Sequence, residues 1–189
     1  MKDIIKMGVI LLIFTAISAA VLGVTNSKTE VIIQERLHAE NIAAIAALLP
    51  IAEDFELVED ATLEGRNLLV EVYEGSTGGE IVGYTVKANP NGYGGRVEVL
   101  TGISMDGKVT GVKIGTQSET PGLGTKVTEP SFLNQFVDRG VEKDFIATKG
   151  GEAGDEYINA ITGATVSTEA VTEGVNVARR VFEEVLKSR

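Results

Sequence analysis

The amino-acid sequence predicts an α+β fold: an N-terminal transmembrane helix, then a domain with a mostly antiparallel sheet and flanking helices. Three observations predict it. Residues 8–24 are an uncharged apolar run, residues 68–114 hold short β-rich runs parted by turn residues, and residues 168–187 carry an amphipathic helical pattern. A length of 189 residues accommodates an anchor and one domain of ordinary size.

Taken in order, Ile4 and Ile5 extend the apolar run beyond Lys6, whose ammonium can reach the interface. At about 1.5 Å per residue, 4–24 spans roughly 31 Å, one hydrocarbon core. Ser18-Ala19-Ala20 resembles a processing site, but Val21, Leu22 and Val24 carry the apolar run past it, so an uncleaved anchor is expected. Lys2 and Lys6 precede the span while Lys28 and Arg36 follow it, so the charge rule barely discriminates; the short tail with two lysines favours the N-terminus inside and the rest outside. Residues 28–50 read as a connecting helix, with apolar positions at Ile32, Ile33, Leu37, Ile42, Ile45, Leu48 and Leu49, ended by Pro50. The chain therefore divides into an anchor at 1–27, a connecting helix at 28–50 and a domain at 51–189.

Strands are expected at 68–73, 80–87, 96–104 and 109–114, with turns at Ser76-Thr77-Gly78-Gly79, Asn89-Pro90-Asn91-Gly92 and Asp106-Gly107. Helical patterns return at 131–139 and 168–187; in the latter Val171, Val175, Ala178, Val181 or Phe182, and Val185 share a face. Glu169 near its start and Lys187 near its end complement the macrodipole.

Composition excludes much chemistry. The formal net charge of −10 argues against a basic face for nucleic acid. With no cysteine there are no iron–sulfur clusters, disulfides or thiol catalysis. His38 is the one histidine and reads as an ordinary helix residue, so a redox role requires an organic cofactor.

Two glycine-containing segments carry the candidate site. In Ser118-Glu119-Thr120-Pro121-Gly122-Leu123-Gly124, Pro121-Gly122 suits a type II turn, with Glu119 and Thr120 adding polar groups; an ordinary turn without a ligand has the same spacing. Asn159-Ala160-Ile161-Thr162-Gly163-Ala164-Thr165-Val166-Ser167-Thr168 clusters hydroxyls and small residues directly before the last helix, where unpaired N–H groups favour a phosphate. Ser167 or Thr168 as a simple N-cap explains the same residues. No base is placed to activate a threonine hydroxyl as a nucleophile.

Thr162-Gly163-Ala164-Thr165-Val166-Ser167 resembles the (Ser/Thr)-Gly-Ala-Thr-x-(Ser/Thr) flavinylation motif. That motif belongs to the FMN-binding domain shared by the G subunit of the Rnf ferredoxin:NAD oxidoreductase and the C subunit of the sodium-pumping NADH:quinone reductase. Gly92-Tyr93-Gly94-Gly95, Asp106-Gly107-Lys108-Val109, Gly111-Val112-Lys113-Ile114 and 118–124 are similar to the G subunit in the same order. Asn159 stands where the family usually has Asp.

The resemblance implies FMN held by a phosphodiester to Thr165, attached by a separate flavin transferase that uses FAD and magnesium. Glu119, Thr120, Gly122, Leu123, Gly124, Thr162, Gly163 and Ala164 are the implied surroundings of that cofactor. Tyr93, Tyr84 and Tyr157 are conceivable stacking residues, with core packing or surface exposure the favoured reading of each. It implies an electron-transfer subunit with no catalytic site of its own. Its partners are the other subunits of a membrane redox complex, and its domain faces the extracytoplasmic side of the inner membrane. The alternatives are a membrane-tethered FMN-binding sensory or regulatory domain, a C-subunit-like component, or an anchor without cofactor.

Overall fold

The computed structural model describes residues 2–60, 63, 65–150, 152 and 154–188, without the side chains of 3–4, 24, 27–28 and 30–41. The expected helix positions Ile32, Ile33, Leu37 and His38 fall outside the described side chains. The chain forms two compact units, Met1–Ile42 and Ala43–Arg189.

Helix α1 is Lys2–Leu48, so the expected anchor and connecting helix form one continuous element. No proline or glycine interrupts residues 24–49, which removes any local reason to break it. Within it Ile5–Gly23, with mean hydropathy 2.3, is long and apolar enough to cross a membrane. The Thr15 hydroxyl donates to the Leu11 and Leu12 carbonyls at 3.0 Å, so this polar side chain is satisfied inside its own helix.

The second unit is a five-stranded antiparallel meander, with strands in sequence order across the sheet. The strands are β1 (Asp54–Leu57), β2 (Leu69–Thr77), β3 (Glu80–Ala88), β4 (Val99–Ser104) and β5 (Val109–Ile114). The four expected strands are present, and β2 runs four residues further than the expected 73. β1 escaped the reading because four residues, only one of them partly covered, leave no alternation to detect. Gly78 (φ 60°) and Gly79 (φ 85°) make the β2–β3 turn, a conformation two L-residues with side chains would resist.

Helix α3, Thr165–Glu184, covers one face of the sheet. Val171, Val175, Ala178 and Phe182 join Tyr84, Val86, Val99 and Ile103 in the main core, and the Phe182 ring meets Tyr84 edge-on at 6.4 Å. The approach is close: a Cβ on Gly174 would lie 2.7 Å from Val99 Cβ.

The opposite face is glycine-lined. Gly75, Gly83, Gly102 and Gly111 follow one another across β2 to β5 through the pairs Gly75–Gly83, Thr85–Gly102 and Gly102–Gly111. Ala44, Ile45 and Leu48 pack there with Leu100. A Cβ on Gly102 would come within 2.6 Å of the Leu48 carbonyl, and one on Gly83 within 2.7 Å of Leu49 Cδ2. The Thr110 hydroxyl donates to that Leu48 carbonyl at 2.5 Å and so caps the chain end of α1.

The helix expected at 131–139 is only one turn, α2 (Pro130–Leu133). It gives way because the β5 edge competes for the backbone. Asp138 N–H donates to the Val109 carbonyl (2.8 Å), and Val109 N–H donates to that of Arg139 (3.0 Å). Asp138 accepts a left-handed φ of 64° to make the bend. Phe132, Phe136 and Phe145 stack edge-to-face at 5.8 and 5.5 Å and fix this segment to the core. A parallel pair not expected from sequence, β6 (Ile146–Thr148) and β7 (Tyr157–Asn159), leads into the hydroxyl-rich loop. Its position is set by the Arg139 guanidinium, which donates to the Asp155 and Tyr157 carbonyls at 2.6 and 2.8 Å.

Candidate functional site

Two turns of the same kind build the site. In the first, Leu123 N–H donates to the Thr120 carbonyl at 3.2 Å across Pro121-Gly122, with Gly122 at φ 77°. In the second, Ala164 N–H donates to the Ile161 carbonyl at 2.9 Å across Thr162-Gly163, with Gly163 at φ 82°. Both have the positive φ at the third position that a type II turn needs. They face each other: a Cβ on Gly163 would stand 3.5 Å from Leu123 Cδ2.

The second turn launches α3 three residues earlier than the pattern predicts, so Thr165 is the first residue of the helix rather than part of a loop. Neither Ser167 nor Thr168 is the N-cap; that position is Ala164, and no side chain caps the helix. The first helical bond is Thr168 N–H to the Ala164 carbonyl (2.9 Å). The N–H groups of Thr165, Val166 and Ser167 thus have no intrahelical acceptor. Thr168 is used instead as a clasp: its hydroxyl accepts from Ile161 N–H (3.2 Å) and donates to the Ala164 carbonyl (2.9 Å). This holds the turn against the helix start.

Between the turns lies an open cleft of about 480 Å³. Glu119, Thr120, Leu123 and Gly124 form one wall; Gly163, Ala164 and Thr165 with Val166 and Ser167 form the other, and Tyr93 stands at the margin. Of the residues expected at the site, Gly122 and Thr162 are not in this lining; they shape the two turns behind it. Among the tyrosines, Tyr84 is wholly buried in the core, whereas Tyr93 is 74% exposed beside the cleft. Leu123 (47%) and Val166 (46%) are also exposed, so the cleft presents apolar surface to a ligand.

Glu119 is the buried polar element of this wall, only 4% exposed. Its Oε2 accepts from the Ser167 hydroxyl (2.5 Å) and its Oε1 from Gly94 N–H (3.1 Å). Space for it is created by missing side chains. A Cβ at Gly92 would collide with Oε1, and one at Gly124 would fall 2.5 Å from Oε2. Glu119 thereby joins the 92–95 turn, the 118–124 loop and the start of α3, a link no sequence spacing reveals.

These features fit a flavin mononucleotide: apolar rim for a ring system, unpaired N–H groups and positive dipole for a phosphate, and a volume within the usual range for small ligands. The profile of the FMN-binding domain matches residues 92–180, the stretch that contains every wall of the cleft. Fold and site together define the class: an α+β FMN-binding domain preceded by an apolar helix.

The chain is 40% identical to the G subunit of the Na(+)-translocating ferredoxin:NAD(+) oxidoreductase complex of Acetobacterium woodii, over 98% of this chain and 95% of that protein. It is 35% identical to the G subunit of the ion-translocating oxidoreductase complex of Methanosarcina acetivorans, over 94% and 93% respectively. The chain belongs to this G-subunit family of ion-translocating oxidoreductase complexes. Among solved structures, the C subunit of the Na(+)-translocating NADH-quinone reductase from Parabacteroides distasonis shares the fold, with TM-score 0.57 at 20% identity over 73% of this chain and 79% of that one.

Proposed function

We propose that the protein is the electron-relay subunit of a membrane-bound, ion-translocating ferredoxin:NAD oxidoreductase, and that FMN is attached through a phosphodiester to Thr165. Bound there, FMN would supply one-electron chemistry that the side chains of this chain lack. The observation that carries the reading is the position of Thr165: first residue of α3, half-exposed at the cleft, beside three N–H groups with no intrahelical acceptor. A phosphate ester on that hydroxyl would sit at the positive end of the helix dipole, favourable by about 1 kcal/mol at an exposed site. Glu119, the carboxylate that shares the cleft, is engaged by Ser167 and Gly94, and among the described hydrogen bonds none joins a base to the Thr165 hydroxyl, which supports attachment by a separate flavin transferase. The Gly163 turn and the Thr168 clasp keep the threonine presented. Ile5–Gly23 would anchor the subunit in the inner membrane, with the cleft on the extracytoplasmic side.

Thr165→Val, expressed with the transferase, tests the attachment. Valine keeps the shape, so the fold should survive while the FMN mass increment and in-gel fluorescence vanish. A variant that retains the increment refutes the assignment to Thr165. Orientation is tested by protease added to intact spheroplasts, which should reach residues after the span; digestion only in inverted vesicles reverses it.

A further inference from the structure

We propose that Glu119 supplies a fixed negative charge in the wall of the cleft and so holds the flavin's reduction potential low; this rests on the reading of the cleft as the FMN site. Three observations lead to it. Glu119 and Thr165 line the same cleft, so whatever is held at Thr165 shares its space with this carboxyl group. Each carboxyl oxygen has a donor to accept from, Ser167 O–H on one and Gly94 N–H on the other, an arrangement that suits a carboxylate. No cation neutralises it: among the described ion pairs of Lys and Arg, none involves Glu119. A charge 96% shielded from water and without a salt bridge acts on its neighbours with little screening.

The position of the charge is as built as its environment. Gly92, Gly94 and Gly124 all lack the Cβ that would collide with Glu119 or the backbone beside it; at Gly94 that Cβ would press on the Ser118 carbonyl. A carboxylate serving only as a brace between loops could be replaced by an amide of equal size. A carboxylate serving as a charge could not. An electron taken up without a proton adds one negative charge to the flavin, so a neighbouring anion disfavours that reduced form.

The test uses the full-length protein co-expressed with its flavin transferase, comparing wild type, Glu119→Gln and Ser167→Ala. Intact mass reports attachment, and spectroelectrochemical titration reports the potential. Glutamine can accept from Gly94 N–H through its oxygen and donate to the Ser167 hydroxyl, which can turn to accept, so the brace is kept and the charge removed. Glu119→Gln should favour the reduced flavin about tenfold, equal to about 59 mV upward for a one-electron couple. Ser167→Ala removes a donor and keeps the charge, so its potential should stay or fall. An unchanged potential in Glu119→Gln overturns the proposal. So does a failure of Glu119→Gln to fold, which would make the residue a structural brace, or an equal rise in Ser167→Ala. Absence of attached flavin from the wild type would instead refute the FMN reading itself.

Discussion

Replacing Gly174 by alanine sets two energies against each other inside α3. In an exposed helix interior the change would stabilise by about 1 kcal/mol, because glycine has the lower helix propensity. Here the new methyl would stand 2.7 Å from both Cβ and Cγ2 of Val99 and 3.0 Å from its Cγ1. Ordinary contact requires roughly 0.7 Å more on two atoms at once. Val99 cannot turn away: it is wholly buried, β-branched and pinned in β4 between β3 and β5. Overpacking of this kind costs typically 1–3 kcal/mol, and contact on three atoms of an immobile residue places it at the upper end. The net expectation is a loss of about 1–2 kcal/mol, or roughly 3–6 °C in melting temperature for a domain of this size. Calorimetry of the full chain in detergent measures it. The companion Val99→Ala and the double variant complete a cycle: the double should cost clearly less than the sum of the singles. A Gly174→Ala protein that melts higher than wild type, or strictly additive energies, would refute the close-approach argument.

Two further outcomes are expected. Tyr73 titrates at about 12, pushed up by desolvation, then by its hydrogen bond to Glu71 and the charges of Glu71 and Glu98. Because the folded value lies above the unfolded one, the contribution is intact below about pH 10 and is lost as pH rises toward 12. Tyr73→Phe should therefore flatten the decline in stability over that window and remove a step near pH 12 from the ultraviolet tyrosine titration. An unchanged slope would contradict it. Asn176→Ala strips the partners from Phe145 N–H (2.7 Å) and the Phe145 carbonyl (2.9 Å), both buried, and should cost roughly 1–3 kcal/mol for each group left unpaired. A loss below about 1 kcal/mol, read from denaturant melts, would mean that water replaces the side chain.

Local signals in the sequence were strong where chain neighbours decide the structure. Asp106-Gly107 marked the β4–β5 turn, Pro121-Gly122 its type II turn, and the spacing of Val171, Val175, Ala178 and Phe182 the buried face of α3. The reading weakened where distant groups compete. The 131–139 segment has helical spacing, yet the β5 edge takes the backbone of Asp138 and Arg139. Ser167 and Thr168 have cap chemistry, but Glu119 and the Ile161–Ala164 turn engage their hydroxyls. The Glu119 lattice was illegible for the same reason, since its partners lie 25 and 48 residues away. The parallel β6–β7 pair has strands of three residues, too short for any periodicity to show.

Along the chain the meander follows α1 and precedes α3 by some fifty residues, with β5 ending at Ile114 and α3 starting at Thr165. A growing polypeptide therefore makes all five strands before it makes the helix that covers Tyr84, Val86, Val99 and Ile103. Until then those side chains have no lid, and the cleft lacks the wall that carries Thr165. Burial of the sheet by α3 and appearance of the cleft thus coincide. A chain truncated anywhere before residue 165 can offer neither the threonine nor the cleft wall that carries it, so an occupied cleft doubles as a signature that α3 has docked on the sheet.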